Sequence, residues 1–226
     1  MKQLPLLLGP GPAQSFENFA VGANAVAVDA LRTASSSSTP FYLWGPAGAG
    51  KTHLLRALAR EVAVQGRRVG AFDPSLEAPW PWGDGVDLVL LDGCDDFDAA
   101  RQHAAFALFV EAATHGVPVV AAGRLPPVDL PVREDLRTRL GWGPVFQMLP
   151  LAEAEMRGTL QREAGRRGIA LSDDVTGYLL TRFARDLGSL MALLDALDRF
   201  ALSEQRAVTV PLLKRMLTEQ PLKEGA

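Results

Sequence analysis

Apolar residues recur in two different rhythms along this chain, and the rhythm changes near residue 150. Before that point, short unbroken apolar runs alternate with helical periodicity. "FYLWG" (41–45), "RRVGAFD" (67–73), "VDLVLLD" (86–92), "VPVVAAG" (117–123) and "PVFQML" (144–149) read as strands. The third run has no polar face, as expected of a central parallel strand covered on both sides. Between the runs the spacing predicts helices at about 24–34, 51–65, 98–115 and 133–140. Leu54, Leu55, Leu58 and Val62 form the inner face of the second helix. Strands alternating with helices predict an α/β fold built on a parallel sheet. From Leu151 onward the pattern is helical only. Leu187, Leu190, Leu194 and Leu197 line one apolar face, Ser172 suits a helix cap, and Pro211 suits the first turn of the last helix. The expected layout is a tail over 1–13, an α/β core over 14–150 and an all-helical bundle over 151–226. No internal repeat is evident.

Composition narrows the classes. Of 226 residues, 48% are hydrophobic and 22% charged, enough apolar content to fill a real core. The net charge of -3 excludes a global basic field for nonspecific DNA binding. Cys94 is the only cysteine, which rules out a disulfide framework and argues against a cysteine-based zinc site. Leu4–Leu8 is too short for a signal peptide and is broken by Pro5, and no run approaches the ~20 apolar residues of a membrane helix. A soluble cytoplasmic protein with no membrane partner is expected. Lysine occurs only at 2, 51, 214 and 223, against many arginines, so position 51 calls for a compact ammonium.

That lysine stands in "GPAGAGKT", Gly45–Thr52, which fits the phosphate-loop pattern G-x-x-x-x-G-K-[ST] between an apolar strand and an amphipathic helix. Gly45, Pro46, Gly48, Ala49 and Gly50 form a loop whose N–H groups can turn inward around phosphates, aided by the helix N-terminus. Lys51 meets the terminal phosphates and Thr52 holds Mg²⁺. The apolar run "LVLLD" ends in Asp92, the expected second contributor to the Mg²⁺ site. In a hydrolytic enzyme of this kind an acidic residue follows to activate water; here Gly93 follows. Asp95 and Asp96 come next, either as substitutes or as solvated turn aspartates. Nucleotide binding is expected, with intrinsic hydrolysis weak or absent.

A P-loop α/β core followed by a helical lid resembles the AAA+ class. "SFENFAVGANAVA" is similar to the lead-in segment of the bacterial replication initiator DnaA, which borders the adenine site; the matching residues are Phe16, Phe19, Val21, Gly22 and Asn24. "GPAGAGKTHLL" extends the match through His53 and Leu54, and "DLRTRLGWG" (135–143) is similar to the arginine-finger box, with Arg139 at the finger position. The expectation is a chain without the initiator's C-terminal helix-turn-helix domain or its long N-terminal domain. That make-up resembles the Hda family of short DnaA-homologous regulatory proteins. The resemblance implies an adaptor that binds ADP or ATP and docks on the DNA-loaded polymerase sliding clamp. It further implies that the adaptor drives DnaA to hydrolyse its ATP through Arg139 in trans, so limiting initiation. DNA would be met only through the clamp, and self-association is left open.

Other residues keep open readings. Arg139 could instead be a surface arginine paired with Glu134 or Asp135. Gly123 stands where a polar residue usually reads the terminal phosphate, with Arg124 beside it as a partial replacement or a solvent-facing side chain. Gly188 stands where DnaA-type lids carry a nucleotide-touching arginine; Arg185 lies a turn earlier. These departures point to weak ATP sensing, and the Hda resemblance implies a resident ADP. Trp80 and Trp82 serve either as a contact surface or as packing at the sheet edge. Arg162, Arg166 and Arg167 offer either a DNA contact or favourable charge at a helix C-terminus. His103, His115 and Cys94 show no chemical pattern. An independent AAA+ ATPase, acting as a loader or remodelling factor, and a small-substrate P-loop kinase are the competing functions. The tail supplies the last motif: Gln3, Leu4, Leu6 and Leu7 fit the bacterial clamp-binding pattern Q-L-x-L-[FL], with the Gly-Pro-Gly-Pro of 9–12 as a tether.

Overall fold

Five short strands pair wholly in parallel, each connection, helical or loop, carrying the chain back to the same end of the sheet before the next strand. They are β1 (Phe41–Trp44), β2 (Arg68–Phe72), β3 (Val86–Leu91), β4 (Val119–Gly123) and β5 (Val145–Gln147), in the order β2-β3-β4-β1-β5. Register places Tyr42 beside Ala121 and Trp44 beside Gly123, with Leu91 beside Ala121 on the other side of β4. The C-terminal ends of β1, β4 and β3 therefore lie side by side, the position where open α/β sheets bind ligands. The computed structural model describes residues 14–183 and 187–219.

Helices α1 (Ala25–Ala34) and α2 (Lys51–Val64) cover one face of the sheet; α3 (Ala99–His115) and α4 (Glu134–Leu140) cover the other. The alternation within β3 accounts for the double cover. Leu88 and Leu90 pack with Leu31, Leu54 and Leu58, while Val89 and Leu91 pack with Leu108, Leu136 and Leu140. Asp98 caps α3 by accepting from Arg101 N, and left-handed Gly116 ends it.

The remaining helices, α5 (Glu153–Arg166), α6 (Asp173–Arg182), α7 (Leu187–Glu204) and α8 (Val210–Glu219), form a second unit beginning at residue 151. Met156, Leu160, Leu179, Leu190, Leu193, Leu197 and Leu213 fill its core. Ser172 caps α6 through Val175 N, and Pro211 occupies the first turn of α8. Among the described residues no helix is long and apolar enough to cross a membrane.

Two expectations are refined. β5 is three residues long rather than six, because Leu149 turns away to meet Asn24. Trp80 is buried, stacked on Phe72 at 5.1 Å and edge-on to Phe97 at 5.2 Å, and Trp82 lies against the His115 ring. Packing, not a contact surface, accounts for both tryptophans.

Candidate functional site

The phosphate-loop sequence leaves β1 at Trp44 and enters α2 at Lys51. A Cβ on Gly45 would strike the Met148 carbonyl oxygen, and one on left-handed Gly50 would lie 2.6 Å from the Phe19 ring. Both positions need glycine for close approach. Between them the loop turns through Pro46, whose carbonyl accepts from Ala49 N at 3.3 Å, and through Gly48. Lys51 folds back into this loop: its Nζ donates to Gly45 O at 2.7 Å and to Pro46 O at 2.9 Å. Burial holds its ammonium below the usual lysine range, partly offset by the nearby charges of Asp92 and Asp95.

Thr52 Oγ1 donates to Asp92 Oδ2 at 2.6 Å, joining the start of α2 to the end of β3. A hydroxyl and a carboxylate at hydrogen-bond distance are the hard oxygen donors that Mg²⁺ takes. The glycine cradle, the ammonium and this oxygen pair fit a phosphate group with its cation.

The lead-in segment is fastened to the same helix. His53 Nε2–H donates to Ser15 O at 2.9 Å, and its ring lies 5.3 Å from that of Phe19. Burial lowers the His53 pKa, so the neutral ring is favoured. Val21 O accepts from Asn24 N at 3.0 Å, closing a 3-10 turn over Gly22–Asn24. The buried Asn24 amide then donates to Leu149 O at 2.9 Å and accepts from Leu149 N at 2.8 Å. Val21 and Gly22 are thus held where the lead-in meets the end of β5.

Beyond Asp92 the chain departs from a hydrolytic pattern in backbone as well as side chain. Gly93 is left-handed, with φ of 68°, and a Cβ there would press on Pro74. The turn it makes carries Cys94–Asp96 across the end of β4. Asp95 consequently has a buried side chain, accepts from Arg124 N at 2.7 Å and pairs with the Arg124 guanidinium, which also reaches Asp96. This corrects the reading of Asp95 as a solvated turn residue and of Arg124 as simply solvent-facing. Cys94 is fully buried, and burial pushes its thiol well above the ordinary range.

Gly123 has a physical cause that was missed in the sequence. A Cβ on it would collide with the Tyr42 hydroxyl, which donates to Leu125 O at 3.0 Å. The available signal was a phenol in an otherwise apolar strand, "FYLW". Gly188 lies in the first turn of α7; Arg185 lies outside the described residues.

Arg139 lies in the last turn of α4, anchored beneath by Leu136 and Leu140. Its guanidinium stacks 4.5 Å from the centroid of exposed Trp142. Among the described residues it makes no ion pair; Asp135 is taken by Arg133 at 2.6 Å. In the helical unit, Arg162 donates to Thr159, Arg166 pairs with Glu163, and Arg167 pairs with Asp195, so each of the three has a partner within the unit. His103 meets Arg133, and His115 meets Glu111. Among the described residues no three His, Cys, Asp or Glu side chains form a metal-ligating group. Gln3, Leu4, Leu6 and Leu7 lie outside the described residues.

The profile of the bacterial DnaA ATPase domain matches residues 11–70, and that of the Hda lid domain matches residues 153–217. An uncharacterized protein of Haemophilus influenzae is 34% identical over 233 residues, covering 96% of this chain and 98% of its own. This chain belongs to the Hda-like, DnaA-homologous family. Its Hda-like fold is similar to that of domain III of the Thermotoga maritima initiator DnaA, with 20% identity, a TM-score of 0.77, and coverage of 93% of this chain and 98% of that one. AMPPCP-bound DnaA from Aquifex aeolicus gives 20% identity and a TM-score of 0.70, over 93% and 70% of the two chains. The T. maritima RuvB branch-migration motor gives 14% and 0.62, over 91% and 72%. The mixed α/β architecture is that of AAA+ proteins.

Proposed function

We propose that this Hda-like protein is a nucleotide-binding regulatory adaptor of replication initiation, which completes the hydrolytic site of ATP-bound DnaA by offering Arg139 across an interface. One contrast carries the reading. Position 93 has neither a carboxylate nor a backbone shaped to aim one, while Arg139 stands without a counter-anion among the described residues. An arginine supplied in trans neutralises charge developing on the transferred phosphoryl group, and such fingers are worth about 10³–10⁵ in rate.

Its own site holds ADP in preference to ATP. Gly45–Gly50 would cradle the phosphates, with Lys51 exchanging its two carbonyl partners for phosphate oxygens. Thr52 and Asp92 would share Mg²⁺, and Val21, Gly22 and His53 would lie on the adenine side. Gly93 and Gly123 leave the terminal phosphate without a water-activating acid or a polar reader. Gln3, Leu4, Leu6 and Leu7 dock on the sliding clamp, and 9–12 tethers the core to it. Replacing Gln3 and Leu6 by Ala abolishes clamp binding if this part is right; unaltered affinity removes it.

The intact Lys51–Thr52–Asp92 set favours a second reading, an independent AAA+ ATPase acting as a loader or remodelling factor. Steady-state ATP turnover separates the two. The isolated adaptor gives turnover near background; robust turnover without DnaA or clamp supports the independent ATPase instead.

A further inference from the structure

A guanidinium that must reach into a partner's site should be ordered before it arrives. An arginine side chain freezes several rotatable bonds on docking, and any part of that ordering already done in the free protein lowers the cost. Arg139 shows such ordering. Its guanidinium lies over the Trp142 ring at 4.5 Å, while Arg133, just before the same helix, is tied to Asp135.

The ring itself is built on fixed backbone. Trp142 N donates to Arg139 O at 3.3 Å, and Gly141 N donates to Arg137 O at 3.1 Å, so the two side chains are locked one helical turn apart. The next residue, Gly143, is pressed against Pro40, where any Cβ would collide with the Pro40 carbonyl. Pro144 O then accepts from Tyr42 N at 2.9 Å, joining the segment to β1. Yet Trp142 is 64% exposed. A large exposed aromatic on a rigid support, under a cation that makes no ion pair among the described residues, is built for a contact that the described residues do not make.

From this geometry we infer that Trp142 is a positioning residue: it holds Arg139 extended toward the terminal phosphate of a nucleotide bound on the partner. The inference rests on the trans action of Arg139 proposed above. As the interface closes and water leaves, the cation–π contact strengthens and restricts the guanidinium when charge develops on the phosphoryl group.

The test measures ATP hydrolysis by DnaA with DNA-loaded clamp while the adaptor is titrated, so that maximal rate and half-saturating concentration are read separately. Trp142→Ala lowers the maximal stimulated rate by about 3- to 30-fold, with half-saturation changed less than the rate. Trp142→Phe, which keeps a π face, restores most of that rate; Trp142→Leu, apolar without one, does not. On an Arg139→Ala background, Trp142→Ala has no further effect. A Trp142→Ala variant with an unchanged maximal rate, or a Leu variant as good as Phe, overturns the inference while leaving the Arg139 reading standing. An Arg139→Ala variant that stimulates normally overturns both. Thermal midpoints of the Phe and Leu variants guard against a folding defect, since both replacements are apolar and smaller than the original.

Discussion

The Tyr42 hydroxyl stands where the Cβ of any other residue at position 123 would be. β1 and β4 run side by side, Tyr42 is wholly buried, and its hydroxyl is spent on the Leu125 carbonyl at 3.0 Å. The missing phosphate-reading side chain at 123 is therefore not a free gap in the site. A phenol reaching over from the next strand fills it, and the two positions depend on one another.

That dependence is measurable. Gly123→Ala should cost about 1–3 kcal/mol of stability through overpacking. Tyr42→Phe should cost about 1 kcal/mol for the stranded Leu125 carbonyl. Combined, they should cost less than the sum, because Phe lacks the colliding oxygen; urea unfolding of the four proteins closes the cycle. Strict additivity would contradict the packing account.

Lys51 and Asp92 should separate in their effects on nucleotide. Lys51→Ala weakens ADP binding by about 10- to 100-fold with or without Mg²⁺, since it removes a charge-assisted contact to phosphate. Asp92→Asn should remove mainly the gain that Mg²⁺ brings. Fluorescent-nucleotide titration with and without the metal reads both. If Asp92→Asn weakens binding equally in EDTA, Asp92 acts other than through the cation.

The Asn24 amide holds both backbone groups of Leu149. Asn24→Ala should lower stability by about 1–3 kcal/mol. It should also raise hydrogen exchange over 15–24 more than in β3 or β4, because the loss is local to the lead-in. Uniform change across the sheet would argue against a local clasp.

Acid should loosen the same segment. The His53 pKa is lowered from its ordinary 6.5, chiefly by burial. The unfolded chain therefore binds its proton first, and His53 contributes stability that is full above pH 6.5 and lost as pH falls through the lower folded value. The thermal midpoint of wild type should fall more steeply from pH 7 to 5 than that of His53→Gln. Parallel curves would contradict a buried neutral ring.

What the sequence made legible was local or periodic. The five strands were found because apolar runs and helical spacing alternate, and each boundary lies within a few residues of the structure. Gly45–Thr52 was legible because a phosphate loop is one contiguous segment, and Asp92 because an apolar strand ended in it. Arg139 required a resemblance, since an arginine in a short helix carries no signal by itself. The Tyr42–Gly123 packing was hidden, because it depends on which strands become neighbours. The burial of Asp95 was hidden too: the left-handed turn at Gly93 decides where the following aspartates go, and composition suggested only a polar loop. Arg167, just past the end of α5, found its partner in Asp195 on α7, a pairing across helices that spacing along one helix does not reveal.

The central claim is that this Hda-like chain completes another protein's active site rather than running its own. The most direct measurement is conversion of DnaA-bound ATP to ADP in the presence of DNA-loaded clamp, with wild type or Arg139→Ala. The variant should bind ADP and clamp as wild type does, yet leave hydrolysis at the rate seen without adaptor. Stimulation by Arg139→Ala equal to that by wild type would contradict the account.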